Sequence, residues 1–397
     1  MKTFLDSRYF SYVRFFLRLI VLSPLGKSKG QRIRRCPVYV CTVMQVWTLM
    51  TLKDDLKTTI ASLPYVVSSL IITIKYFTCY LNYNMIKKLF VTIGENWMEL
   101  KCKNEMNLME KYTHDGYLYT VFFTWLTIVS CCLISTLGLI VLIFRQKFLE
   151  SANNLLLLLP SWIYGDTVDS KVSVLLFCVI FIMIIAVMLT TDLIYITLTY
   201  HACAMISVTG HRLQHLFDDV KRMRNTEQKN TLLHVRVAKA IRYHWKCMKY
   251  VNGLESCYTV SLFLQHIMIT IVITSKLYRV YSFSMTGRAN LIIVSVDIAY
   301  TLGLLFANVY PAERLTDCGQ NLYHNVYNAH WYDTPASTQK VIQIMLQKIS
   351  EPFYFGISGL FSASFETCSK IIRNRPIVDT VWAPLFFKSS FKAVHFG

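Results

Sequence analysis

The chain has 397 residues, of which 54% are hydrophobic and only 16% charged, and it carries a net charge of +18. A soluble domain carries about a quarter charged residues, so this composition excludes a soluble protein built round one core. The apolar stretches are long and do not alternate, which excludes an outer-membrane barrel. The Lys and Arg residues lie in loops rather than in a run interleaved with stacking aromatics, so the charge points to no nucleic acid. It reads as an orientation signal in a lipid bilayer.

Crossing hydrocarbon takes ~20 mostly apolar residues in a helix. In chain order, residues 9–25 are apolar but are broken by Arg14 and Arg18. That pattern predicts an interfacial amphipathic helix within an N-terminal segment, 1–36, and not a cleaved signal. Seven spans follow, at about 37–52, 56–81, 117–144, 172–205, 251–277, 289–309 and, as a pair interrupted by Pro352, 338–349 with 353–372. The third span has no charged residue. The second contains Lys75, the fourth Asp192 and the sixth Asp297. Lys75 is expected to snorkel, Asp192 to meet water near the inner end, and Asp297 to lie deep. The fold class predicted is an all-α membrane protein of seven transmembrane helices, with a membrane domain over 37–372 and a C-terminal tail over 373–397.

Loop charges orient the spans. Nine Lys/Arg precede the first span, five lie between the second and third, and ten between the fourth and fifth. The opposite loops hold two, three and three, the last being Lys276, Arg279 and Arg288. The N-terminus is therefore expected inside and the C-terminus outside. The tail, with Lys370, Arg373, Arg375, Lys388 and Lys392, runs against this trend but enters the membrane last. The 12 Cys show no metal-type spacing and read as reduced, and there is no Asn-x-Ser/Thr sequon.

Few constellations could carry chemistry. His211 and His215 are spaced i, i+4 and could share one metal, but a catalytic zinc needs a third protein ligand and no HExxH occurs. No metal, cofactor or enzymatic activity is expected. A transporter should show matched halves with broken helices, and the chain has none. A G-protein-coupled receptor would need an external N-terminus. Here Arg145-Gln146 follows the third span in place of an acidic-Arg-aromatic triplet, and no Asn-Pro-x-x-Tyr ends the last span. The outer halves of the helices are rich in Phe, Tyr, Leu, Ile, Met, Ser and Thr. Such walls would suit a small, largely apolar ligand, and ordinary helix packing would use the same residues.

Specific motifs cluster in the last third. They are Glu313-Arg314-Leu315-Thr316-Asp317, then Val326-Tyr327-Asn328-Ala329-His330-Trp331-Tyr332-Asp333-Thr334-Pro335, and Gln339-Lys340. Upstream stand Tyr243-His244, Asn252-Gly253-Leu254-Glu255 and the loop Leu158-Leu159-Pro160-Ser161-Trp162. In order and spacing these resemble the insect odorant receptors, in the tuning-subunit branch of the inverted seven-helix superfamily. A gustatory receptor of that superfamily is the nearest alternative, and the interval from Trp331 to the last helix fits the odorant branch better.

The resemblance implies a ligand-gated, non-selective cation channel of four subunits at the plasma membrane of a sensory dendrite. A small volatile odorant and a shared co-receptor would be its partners. It also implies a pocket in the outer half of the bundle. On the predicted spans that level holds Tyr65 and Ser69, Ser135 and Leu139, Phe177 and Phe181, and Ile293 and Tyr300, each pair on one helix face. Trp331 and Tyr332 would stand at a subunit anchor, and Val381 would fall where the family narrows its pore. The chain departs from the family beyond Cys368, where Lys370, Arg373, Arg375, Pro376 and Asp379 replace an apolar helix. Proline in a helix interior costs ~3 kcal/mol and arginine at membrane depth ~2.5 kcal/mol or more. The helix is therefore expected to end near Ile372.

Overall fold

Apolar runs this long cannot leave backbone groups bare in hydrocarbon, so they close their hydrogen bonds within helices. The computed structural model describes residues 56–100, 102–143, 170–216, 226–283, 288–350 and several positions between 353 and 369. The first expected span, 37–52, and the tail, 373–397, lie outside the described residues. Helix α1 spans Leu56–Leu81 and α2 Tyr83–Glu99. Four long helices follow: α3, Lys103–Ile143; α4, Ser170–Gln214; α5, Thr226–Phe283; and α6, Arg288–Tyr327. A 3-10 turn at Trp331–Asp333 leads into α7, Ala336–Ile349.

The four long helices have 41, 45, 58 and 40 residues. At ~1.5 Å per residue they measure roughly 60–90 Å, against ~30 Å of hydrocarbon. They therefore run on beyond the membrane, at the end to which the loop charges assign the cytoplasm, and pack there as a bundle. Helix α4 is the axis of that bundle, packed by α1, α3, α5 and α6. Its side chains are buried almost without break from Ala186 to Met205, as expected of a helix that is apolar all round. Helix α3 instead exposes Leu118, Phe122, Trp125, Val129 and Leu133 in one stripe. In water such a stripe would be costly, whereas against lipid tails it is the ordinary outer face of a bundle.

Two segments differ from the sequence reading. The loop expected between the second and third spans is mostly helix α2. It buries Ile86, Leu89, Phe90 and Ile93 and leaves Lys87 and Lys88 exposed. The i, i+3, i+4, i+7 spacing of these four apolar residues makes one face of α2 apolar. Asn82, the one residue between α1 and α2, donates through Nδ2 to the Cys257 carbonyl of α5 at 3.2 Å, which fixes the joint. The second difference follows Pro352. Helix was expected to resume at Phe353; Gly356–Ile357 first pair antiparallel with Phe361–Ser362, and helix appears again at Phe365 and Glu366. Gly356 and Gly359 fall in this stretch, and glycine costs a helix ~1 kcal/mol per residue relative to alanine.

Candidate functional site

A polar node links four helices, three of them near the middle of their lengths. Lys75 of α1 donates through Nζ to Asp192 Oδ1 of α4 at 2.6 Å, and its Nζ stands 3.5 Å from Asn308 Oδ1 of α6. The Lys75 and Asp192 side chains are 5% and 6% exposed. Neither reaches water, so the snorkelling expected of Lys75 and the solvation expected of Asp192 are replaced by mutual neutralisation. A lone charge at this depth costs ~2.5–3.5 kcal/mol on insertion scales, and pairing makes both residues tolerable. Asn308 is oriented by its own Nδ2, which donates to the Leu304 carbonyl at 2.9 Å.

Beside this pair, Tyr119 of α3 donates its hydroxyl proton to the Ala307 carbonyl at 2.5 Å. Its ring stacks on Tyr310 at 5.1 Å between centroids and lies 6.0 Å from Tyr200 of α4. Helix α3 comes this close to α4 because residue 116 is glycine. A Cβ there would meet Tyr200 Cβ and Cγ at 2.9 Å.

Helix α6 ties the node to the final segment. Phe365 lies 6.3 Å from Tyr310 and 5.9 Å from Phe306, ring to ring. Its backbone N–H donates to Glu313 Oε2 at 3.1 Å, and Thr316 Oγ1 donates to the Phe353 carbonyl at 2.8 Å. Glu313 and Thr316 belong to the motif that carries the family resemblance.

A second ion pair joins the end of α5 to the start of α6. Lys276 Nζ donates to Asp297 Oδ1 at 2.8 Å and to Thr301 Oγ1 at 2.6 Å. Lys276 counts among the outer-loop cations on sequence, but the structure buries it inside the helix pair, with 7% of its side chain exposed. Neither partnership could be read from spacing along one helix. The pairs are 117 and 21 residues apart and depend on which helices become neighbours.

The sequence-predicted ligand residues fall on α1, α3, α4 and α6. Ser69 is buried on α1, where its hydroxyl donates to the Val66 carbonyl at 2.7 Å. Tyr300 is half-buried on α6. Tyr65, Ser135, Leu139, Phe177, Phe181 and Ile293 lie on helical backbone, and their side chains are outside the described ones. Val381 lies outside the described residues altogether.

At the far end of α6, Trp331 packs against the main core and donates through Nε1 to the Tyr327 carbonyl at 3.2 Å. Tyr332 is 57% exposed, with its hydroxyl 2.7 Å from His330 Nδ1. Gln339 Nε2 fixes this turn by donating to the Tyr332 and Thr334 carbonyls at 2.7 and 2.8 Å. His211 and His215 lie 4.4 Å apart between ring centroids, their planes tilted by 49°. The neighbouring Arg212 makes a two-pronged ion pair with Glu105 of α3, at 2.8 Å for each bond, and lies over the Tyr243 ring.

Known proteins share both pattern and shape. The chain is 20% identical over 179 residues to odorant receptor Or2 of Anopheles gambiae, covering 45% of this chain and 47% of that protein. It is 22% identical over 147 residues to odorant receptor 22b of Drosophila melanogaster, covering 36% of each. These alignments therefore span less than half of the curated relatives. The fold is similar to that of the olfactory receptor OR5 from Machilis hrabei, solved in complex with eugenol. That match has a TM-score of 0.66 at 13% identity and covers 92% of this chain and 96% of that one. A second structure of the same receptor gives a TM-score of 0.64 at 13% identity, over 96% of this chain and 99% of that one. Residues 55–375 match the family model described as 7tm Odorant receptor. The chain belongs to the seven-transmembrane odorant receptor family, and is thus an all-α, multi-pass membrane protein.

Proposed function

We infer that this receptor binds a small volatile odorant between the outer halves of α1, α3, α4 and α6. Binding there gates a non-selective cation conductance in a tetramer with a co-receptor, at the plasma membrane of a sensory neuron. The observation that carries this reading is the node. The four helices holding the predicted ligand residues are joined further in by Lys75, Tyr119, Asp192, Tyr200, Asn308 and Tyr310. On α1 and α6 the separation is about two helical turns, from Ser69 to Lys75 and from Tyr300 to Asn308. A ligand that shifts these helices thus acts on a packed unit, and packed units switch between discrete arrangements rather than deforming continuously. Through Glu313 and Thr316 the same unit holds the segment after Pro352. The likeness to an olfactory receptor solved with eugenol supports an odorant ligand. The membrane domain is taken as 37–372, with the N-terminus inside and the tail 373–397 outside.

The direct test is current in excised patches from cells that express the chain with and without a co-receptor. Odorant should open a cation conductance with no nucleotide in the bath, and only when both chains are present. A requirement for GTP would overturn the channel reading in favour of a metabotropic one.

The anchor divides into two roles on the same grounds. Tyr332 is free at the surface to meet a neighbouring subunit, while Trp331 is packed on its own chain. Tyr332→Ala is expected to lower co-purification with a co-receptor at unchanged receptor abundance. Trp331→Ala is expected to lower abundance itself, measured on the same blots. Equal losses from both would place the whole turn inside the protomer.

A further inference from the structure

Within the ligand site inferred above, on which this inference rests, one ionised group is placed to touch the ligand. Along α6 the exposed residues Ser295, Val296, Ala299 and Phe306 form one outward stripe. At ~100° per residue, Asp297 lies roughly 160° round from that stripe, towards the bundle interior. Asp297 and Tyr300 stand at i and i+3, so the carboxylate shares its side of the helix with a predicted ligand residue.

Its bonding is lopsided. Oδ1 accepts from Lys276 at 2.8 Å, and among the described residues no donor is seen at Oδ2. The Asp297 side chain is 20% exposed where that of Lys276 is 7%. The ammonium reaches Asp297 Oδ1, Thr301 Oγ1 and, at 3.4 Å, the Asp297 carbonyl. Thr301 Oγ1 in turn donates to that carbonyl at 2.8 Å. Among the described residues, Oδ2 of Asp297 is thus the atom of the pair left open to a ligand's donor.

We propose that Asp297, held in place by Lys276, is the polar anchor of the ligand site and selects neutral hydrogen-bond donors, namely small alcohols and phenols. Lys276 already balances the carboxylate charge, so an uncharged O–H is received without bringing a second charge into an apolar site. An ammonium ligand would add an unbalanced charge, and a carboxylate ligand would face Asp297 directly. Ethers and alkanes of the same shape offer Oδ2 nothing, leaving it desolvated without a partner.

The test uses a series of 1-alkanols and simple phenols beside their methyl ethers, applied to the full chain with its co-receptor. Half-maximal concentrations are read together with surface abundance. The wild-type receptor should favour each O–H compound over its ether by about tenfold or more. The exchange Lys276→Asp with Asp297→Lys keeps an ion pair between α5 and α6 but moves the carboxylate off α6. It should preserve surface abundance and bring that ratio close to one. Asp297→Glu, which keeps the acceptor, should retain the preference.

An unchanged ratio in the exchanged receptor would make the pair merely structural and overturn the proposal. So would a wild-type receptor that responds to volatiles with no preference for O–H compounds. A receptor that no volatile opens, in either form, would instead overturn the odorant-gated reading itself.

Discussion

Lys75→Met is expected to remove most of the receptor from the cell surface. The substitution leaves the Asp192 carboxylate buried, its side chain 6% exposed, with its ion-pair partner among the described residues gone. Removing one member of a buried pair costs ~3–5 kcal/mol, a large part of the ~5–15 kcal/mol that usually holds a folded state together. Replacing both members with apolar residues, as in Lys75→Met with Asp192→Leu, leaves no bare charge and is commonly neutral or stabilising. Surface biotinylation should therefore show loss in the single variant and recovery in the double. In the recovered double variant, the link from α1 to α4 and α6 is apolar and no longer directional. Odorant-evoked current per surface receptor should then fall, although abundance does not. Normal abundance of the single variant would mean that Asp192 is solvated after all. Full current in the double would remove the node from the path between ligand and channel.

Gly116→Ala is the second substitution with a large expected cost. The new methyl would stand 2.9 Å from both Cβ and Cγ of Tyr200. These atoms sit next to the α4 backbone, so no rotamer change moves Cβ aside and the two helices must separate. Over-packing of this kind costs ~1–3 kcal/mol. Separation would also strain the Tyr119–Ala307 hydrogen bond and the Tyr119–Tyr310 stack one turn away. Gly303→Ala supplies the control, because a Cβ there meets nothing within 4 Å. It exchanges a helix-weakening residue for a helix-favouring one, a gain of up to ~1 kcal/mol. Thermal unfolding in detergent should place Gly116→Ala below wild type and Gly303→Ala at or above it. If both variants melt together, α3 and α4 do not approach as closely as described.

Hydropathy located the helices because every backbone group in hydrocarbon must be satisfied locally, which makes each span a property of its own residues. The third to sixth expected spans lie on the long helices α3, α4, α5 and α6. The family motifs around Glu313 and Trp331 were equally local and equally legible. The helical extensions beyond the membrane were not, because they are polar on one face and their length is set by the bundle into which they pack. Nor was α2, whose apolar face has meaning only once α5 lies beneath it.

The charged residues divide in the same way. Sequence placed Lys75, Asp192 and Asp297 within spans and thereby marked them as costly, but a charge in a membrane can snorkel, hydrate or pair. The choice among these belongs to neighbours far along the chain. Lys75 finds Asp192 across 117 residues and Asn308 across 233, and Lys276 moves from an apparent loop cation to a buried partner of Asp297. Spans, membrane class and family were thus written in local hydropathy and short motifs. The polar node, the close approach at Gly116 and the inward-facing carboxylate of Asp297 arise only from helix packing. Electrostatic pairing and steric contact act between side chains through space, and their partners exist only after the helices have assembled.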